Sequence, residues 1–475
     1  MTEHKKEKLS RQDRLMVAII VAGGFATILN QTVMGTALPS VMDEFGINAA
    51  KGQWLTSVFL LVNGLMIPVT AFLINRYSTR QLFLSSMGAF IAGSVLAIVA
   101  WRFEVLLLAR ILQAMGAGVM LPFVSVMLML IFPKERRGFA MGIAGIVIGA
   151  APAIGPTLAG LLVDLHNWHY IFIAFTPVCV AVMVFAVIFL KNIGDRKETH
   201  LDLISVVLST VGFGGLLYGF SAAGSAGWLH WQTWGSILAG GITIIFFVRR
   251  QYRVDKPLLD LRVFRYRDFT MSTVLVSIVG LGMTVGSVIT PIYLQTALGY
   301  SAMKSGLLLM PAGLLMAAMS PVSGTFFDRF GPRALTITGL GIITVGTLML
   351  GRLSLHSSEA YLIISYTFRM MGISFVNMPL NTWGINALPN RKIPDGNAIT
   401  NTARQVTGSM GTAILVTVMV MVAGLLADRG SPEAMVQGVN AAFNGAAIAT
   451  GAALALSILK VDRGKKKVKR KEDER

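Results

Sequence analysis

Residues 142–160 read GIAGIVIGAAPAIGPTLAG. The stretch is apolar enough to enter a bilayer, yet Gly142, Gly145, Gly149, Gly155 and Gly160 thin its surface, and Pro152 and Pro156 remove backbone donors. An unsatisfied peptide group is strongly disfavoured in hydrocarbon, so a helix weakened this way is tolerated only where protein covers it. Small residues also let helix backbones approach closely in lipid, where no hydrophobic force favours protein over acyl tails. The stretch therefore predicts a membrane-spanning helix lying against a partner and able to bend or pivot on it. Ordinary membrane-helix packing accounts for the same residues without motion.

The rest of the chain is of the same kind. Of 475 residues, 54% are hydrophobic and 13% charged, a balance foreign to water-soluble globules. Crossing the hydrocarbon core takes about 20 apolar residues in a helix. Fourteen such stretches recur, at 15–38, 54–74, 82–101, 105–131, 139–163, 169–190, 203–222, 232–249, 269–294, 303–327, 334–352, 360–387, 398–424 and 438–459. The expected fold class is an all-α integral membrane protein.

A net charge of +18 raises the question of nucleic acid, but the cations fall on alternate loops. One side holds the Lys5–Arg14 segment, Arg76 and Arg80, Lys134 to Arg137, Lys191 to Lys197, Arg249 to Arg267, Arg329 and Arg333, Arg391 and Lys392, and the tail. The other has only Lys51, Arg102, Lys304, Arg352 and Arg429. This asymmetry follows the positive-inside rule and places both termini in the cytoplasm. The tail DRGKKKVKRKEDER (462–475) then reads as an orientation signal touching anionic lipid, not as a nucleic-acid arm. The lone Cys179 permits no intramolecular disulfide and no metal cluster, and no cofactor is expected. The basic start before Leu15 mimics a secretory signal, but its apolar run is too long and lacks a cleavage pattern, so it reads as an uncleaved first span.

The sequence repeats. AFLINRYSTRQL (71–82) aligns with GTFFDRFGPRAL (324–335), Arg110 with Arg369 and Glu104 with Glu359, each about 255 positions apart. Spans one to six and nine to fourteen are therefore two copies. The chain divides into a cytoplasmic segment 1–14, a six-helix bundle 15–190, an inserted helix pair with linkers 191–268, a second bundle 269–459 and a basic cytoplasmic tail 460–475.

The motifs LNQTVMGTALP, QWLTSVFLLVNGLMIPVTAFLINRYSTR, LLLARILQAMGAGVMLP, IGAAPAIGPTLAGLL, NALP and NTARQVTGSMGTA, taken together, are highly specific. With them the chain resembles the major facilitator superfamily in its fourteen-span drug:proton antiporter type, the EmrB/QacA group, and most of all LmrB-like multidrug efflux proteins. The resemblance covers nearly the whole chain and implies the major facilitator fold in a bacterial plasma membrane. It implies that Gly149, Pro152, Gly155, Pro156 and Gly160 form the antiporter motif, which seals or hinges the interface between halves. It also implies that NRYSTR and DRFGPR are gating loops, in which a carboxylate at a helix end locks one orientation. Asp328, Arg329 and Arg333 keep that pattern, and Asp328 has Arg329, Arg333 or a helix N-terminus as possible partners. The first copy, with Asn75, Arg76 and Arg80, departs from it: Asn75 stands where a carboxylate is usual and Ser78 where Gly is, so its latch is expected to be weaker.

Three arginines, Arg110, Arg369 and Arg404, lie within spans. An ionised side chain deep in hydrocarbon costs at least about 2.5 kcal/mol, so each is expected to face protein or water. Arg110, near a span end, could instead snorkel. Polar side chains at helical spacing accompany them, and Asn30, Gln31, Met34, Asn63, Arg110, Gln113, Asn377, Asn381, Arg404 and Gln405 are expected to converge on a substrate cavity. Met120, Phe123, Met370 and Phe375 would supply adaptable apolar lining.

The family's titrating Asp in the first span is Asn30 here, and an amide does not exchange protons near neutral pH. No Asp or Glu lies in the interior of any span, so the candidate proton sites are at outward ends: Glu104, Asp164, His166 beside His169, and Glu359. DLHNWHY (164–170) reads equally well as an interfacial loop with anchoring aromatics. No P-loop and no nucleophile with a base appears, so an enzyme is not expected. The expected protein is a multidrug efflux transporter that exports amphipathic or cationic organic compounds by alternating access in exchange for protons. Its partners would be drugs and lipophilic cations, protons and the lipid bilayer, with no nucleic acid. Rival readings are a flippase for lipid or lipid-linked precursors, which needs a cavity open sideways to the bilayer, and a uniporter of one small solute.

Overall fold

The structure, a computed structural model, describes residues 10–193, 202–228, 230–255, 257–425 and 431–461. The basic tail from residue 462 and most of the N-terminal segment lie outside the described residues. Within them fourteen long helices follow one another: α1 (Arg11–Phe45), α2 (Trp54–Arg76), α3 (Thr79–Ile98), α4 (Phe103–Ile131), α5 (Arg137–Leu165), α6 (His169–Phe189), α7 (Leu203–Ala226), α8 (Trp231–Arg253), α9 (Arg267–Ile292), α10 (Ala302–Phe330), α11 (Pro332–Leu350), α12 (Glu359–Asn386), α13 (Ile393–Leu425) and α14 (Pro432–Lys460). Thirteen are long and apolar enough to cross a membrane. The exception among the fourteen spans read from the sequence is α12. Its apolar run is broken by Ser365, Arg369, Ser374, Asn377 and Asn381, all of them buried, so its polarity faces protein.

Helices α1–α6 pack together around Phe83, Phe90, Phe123 and Met127. Helices α9–α14 do so around Leu340, Ile343, Ile373 and Phe443. The two groups meet along two seams, α5 against α10 and α2 against α13. The loops richest in cations lie where α2 and α10 end and where α5 and α13 begin, and that end of the molecule is called the basic end below.

The inserted pair α7–α8 is not peripheral. Helix α7 packs on both α2 and α13, and so covers their seam. Leu217 of α7 fills the space left by Gly64 of α2, where a Cβ would lie 2.7 Å from it. Trp228 donates to the Thr417 hydroxyl of α13 at 2.5 Å. Asp202 caps α7 by accepting from Ser205 N and pairs with Arg250 of α8 at 2.7 Å. That guanidinium holds the Asp202 carboxyl at about 2, below the usual carboxylate range. The following linker is tied to the start of α13 by the Asp260–Lys392 ion pair at 2.9 Å and by Asp260 N donating to Asp395 at 3.3 Å.

Candidate functional site

Three glycines of the 142–160 stretch are explained by the α5–α10 seam. A Cβ at Gly142 would lie 2.7 Å from Pro321 Cα, one at Gly145 2.6 Å from Ser320 Cβ, and one at Gly149 2.9 Å from the backbone N of Ala317. Backbone atoms cannot swing aside, nor can a Cβ fixed to the backbone, so these positions admit hydrogen only. The motif's remaining residues are divided. Gly155 and Gly160 lie against Thr32 and Thr36 of α1, Pro156 approaches Gly306 of α10, and Pro152 is exposed.

At the basic end this seam finishes in a polar lock. Asp328 of α10 accepts from the backbone N–H of Gly138 at 2.9 Å and of Phe139 at 3.0 Å, in the first turn of α5. Those amides have no partner within their own helix and carry the positive end of its dipole, so a carboxylate suits them. Gly138 is required, because any Cβ there would overlap Asp328. Arg137 adds bonds to Asn386 at 3.2 Å and Asn390 at 3.0 Å in the other half. Of the partners open to Asp328, it takes the helix N-terminus.

Two arginines of the NRYSTR and DRFGPR loops bond within their own bundles. Arg333 donates to the Ile458 carbonyl at 3.2 Å, and Arg80 to the Val187 carbonyl at 2.6 Å. Arg329 lies over the Phe330 ring, while Arg76 is exposed. Ser78 caps α3 through a reciprocal capping box with Gln81, a role legible in its S-x-x-Q spacing but missed by the sequence reading. At the second seam Asn75 lines a cavity of about 610 Å³ together with Phe123 and Met127 of α4 and Asn390, Arg391 and Pro394 of the other half.

Arg110 does not snorkel. It is fully buried, with its guanidinium donating to Asn30 Oδ1 at 2.6 Å, Gln113 Oε1 at 2.8 Å and the Leu55 carbonyl at 3.3 Å, over the Phe59 ring. Gln113 is oriented in turn by Ser94 at 3.0 Å. The second copy builds the same arrangement from different atoms. Arg369, also fully buried, donates to Thr347 Oγ1 at 3.1 Å and to the Gly282 carbonyl, in space provided by Gly286 and Gly346. A side-chain amide in α1 and a main-chain carbonyl in α9 thus do the same work.

Arg404 of α13 differs, being half-buried. Its guanidinium donates to Asn401 Oδ1 at 2.6 Å and Asn377 Oδ1 at 3.5 Å. Its stem lies in the notch of Gly280 on α9, where a Cβ would overlap Arg404 Cγ. Next to it, Gln405 approaches Gly64 of α2 across the halves. Of the expected cavity residues, Gln31, Asn63, Arg404 and Gln405 keep partial exposure, whereas Asn30, Met34, Gln113, Asn377 and Asn381 are buried among helices.

The carboxylates considered for protons lie at the end opposite the basic one. Glu104 pairs with Lys51 at 3.1 Å and Glu359 with Lys304 at 2.6 Å, both well exposed. Asp164 and His166 are exposed, and His166 stacks on Tyr170. A carboxylate passed over in the sequence is Glu44, which accepts from the fully buried Trp168 indole at 2.7 Å.

Comparison with known proteins agrees with this architecture. Residues 20–412 match the Major Facilitator Superfamily. The uncharacterized MFS-type transporter YcnB of Bacillus subtilis is 44% identical over 91% of this chain and 92% of its own. The lincomycin resistance protein LmrB of Listeria monocytogenes is 37% identical over 85% and 86%. A solved structure, the human organic anion transporter MFSD10 (TETRAN), shares the fold with a TM-score of 0.65 at 14% identity, over 94% of this chain and 99% of that one. Two groups of six packed helices, a small-residue seam and a matching family profile over most of the sequence lead to one conclusion: the chain is a multi-pass membrane transporter of the major facilitator superfamily.

Proposed function

We propose that this transporter is a multidrug exporter of the fourteen-span type. In this reading amphipathic organic compounds leave a bacterial cell by alternating access in exchange for protons, and the basic end faces the cytoplasm. The observation that carries it is the Asp328 lock. A single carboxylate in one bundle holds two main-chain amides of the other, at the end of a seam where Gly142, Gly145 and Gly149 bring two helices close. Such a contact is strong enough to bias a two-state equilibrium and small enough to break on each cycle. Relatives named for lincomycin and multidrug resistance support export as the direction. The flippase reading is disfavoured by the two seams, one closed by direct packing and the other covered by α7.

Everted membrane vesicles with an imposed pH gradient test the proposal. Gradient-dependent uptake of at least one amphipathic dye from a panel of differing charge is the expected result. Uptake indifferent to the gradient removes proton exchange, and no uptake across a panel of drug-like dyes removes export.

A further inference from the structure

We infer that the substrate site, granted the transport reading above, selects compounds carrying an anionic group, and that Arg404 is the residue that receives it. Three arginines sit inside the spans, and their hydrogen-bond partners are amides, hydroxyls and carbonyls. Two of them are sealed within their own bundles. Arg404 alone of the three is half-buried, beside Gln405, which reaches toward the other half.

Among the described residues no carboxylate answers it. The helices packed on α13 hold theirs in first turns, as Glu104, Asp268, Glu359 and Glu433, while α2 and α7 contain none. On α13 itself the nearest is Asp395, nine residues away, about 13 Å along the axis. A cation entering this site meets a like charge without a counter-ion. A carboxylate, sulfonate or phosphate meets a guanidinium oriented by Asn377 and Asn401, two of whose five N–H donors are taken by those amides. The Gly280 notch that seats the arginine stem holds the fork in place.

The test uses two dyes with one xanthene core and opposite charge, anionic sulforhodamine B and cationic rhodamine 6G. Flux of each is measured in liposomes containing the purified full-length protein, and the thermal shift each produces is measured in detergent. Wild type is expected to be stabilised by sulforhodamine B and to move it faster than rhodamine 6G. Arg404→Gln is expected to shift the anion-to-cation ratio of flux toward rhodamine 6G by at least about tenfold and to abolish the sulforhodamine thermal shift. Arg404→Lys, which keeps the charge but not the fork, restores part of both.

Gly280→Ala displaces the stem without removing the charge and is expected to lower the same ratio, which guards against a misfolded Arg404→Gln. A thermal shift with sulforhodamine B that Arg404→Gln leaves intact overturns the inference, as does an equal loss for both dyes. A shift that depends on Arg404 without flux of either dye overturns the transport reading and leaves the anion site standing.

Discussion

At the scale of the residue, the deciding feature is how a cation is kept inside a membrane helix. Arg110 has no counter-ion among the described residues, yet three acceptors and an aromatic face surround it. The position of the family's acidic residue, occupied here by Asn30, is one of those acceptors. Two substitutions there should act in opposite directions. Asn30→Leu strands a buried N–H of Arg110 and is expected to cost about 1–3 kcal/mol. Asn30→Asp converts a neutral acceptor into a charged one at the same 2.6 Å contact and is expected to stabilise by about 1 kcal/mol. Thermal unfolding in detergent checks both, and equal losses from the two would reduce Asn30 to a packing role.

At the scale of the element, α5 and α10 are specified by what they lack. Gly142→Val would drive a side chain into the Pro321 backbone, and is expected to reduce flux at least about tenfold while expression and monodispersity persist. Gly88→Ala is the control, because open space surrounds a Cβ at that position on α3. Size-exclusion profiles beside flux assays read the difference.

The inserted pair makes a separate prediction through Asp202 and Arg250. The Asp202 carboxyl titrates at about 2, lower than an unfolded Asp. Its stabilisation is therefore complete above the unfolded value and is lost as pH falls toward the folded one. Arg250 is partly exposed, so Asp202→Asn is expected to cost about 1 kcal/mol or less at pH 7, and the difference from wild type should vanish in strong acid. Thermal melts across pH check this, and a difference that grows on acidification contradicts the assignment.

At the scale of the whole molecule, the two seams are unequal. One ends in a carboxylate on a helix N-terminus, while the other has an asparagine beside a cavity of about 610 Å³. On the proposed transport cycle, opening at the basic end is expected to be controlled from the α5–α10 side. Asp328→Asn presents an NH₂ to amide donors and should raise thiol labelling of an introduced Asn386→Cys by about tenfold, in a Cys179→Ala background. Cross-links between positions 137 and 386 at one end and 157 and 310 at the other, both close pairs across the halves, are expected to stop flux. Flux that survives both would rule out rocking bundles.

Read alone, the sequence carried the number and approximate position of the helices and the alternation of charged loops. These follow from local quantities: bilayer thickness fixes the length of an apolar run, and charge bias needs only a count along the chain. The carboxylate Asp328 at a helix end and the small-residue stretch of α5 were visible for the same reason, each being a short motif. Their partners were not. That Asp328 reaches α5 amides, that Asn30 serves Arg110, that α7 covers the α2–α13 seam and that Arg404 rests in a glycine notch of α9 are contacts between helices remote in sequence. In lipid, packing depends on the fit of small residues and hydrogen bonds rather than on apolar periodicity. No one-dimensional pattern carries that fit, and only the assembled bundle decides it.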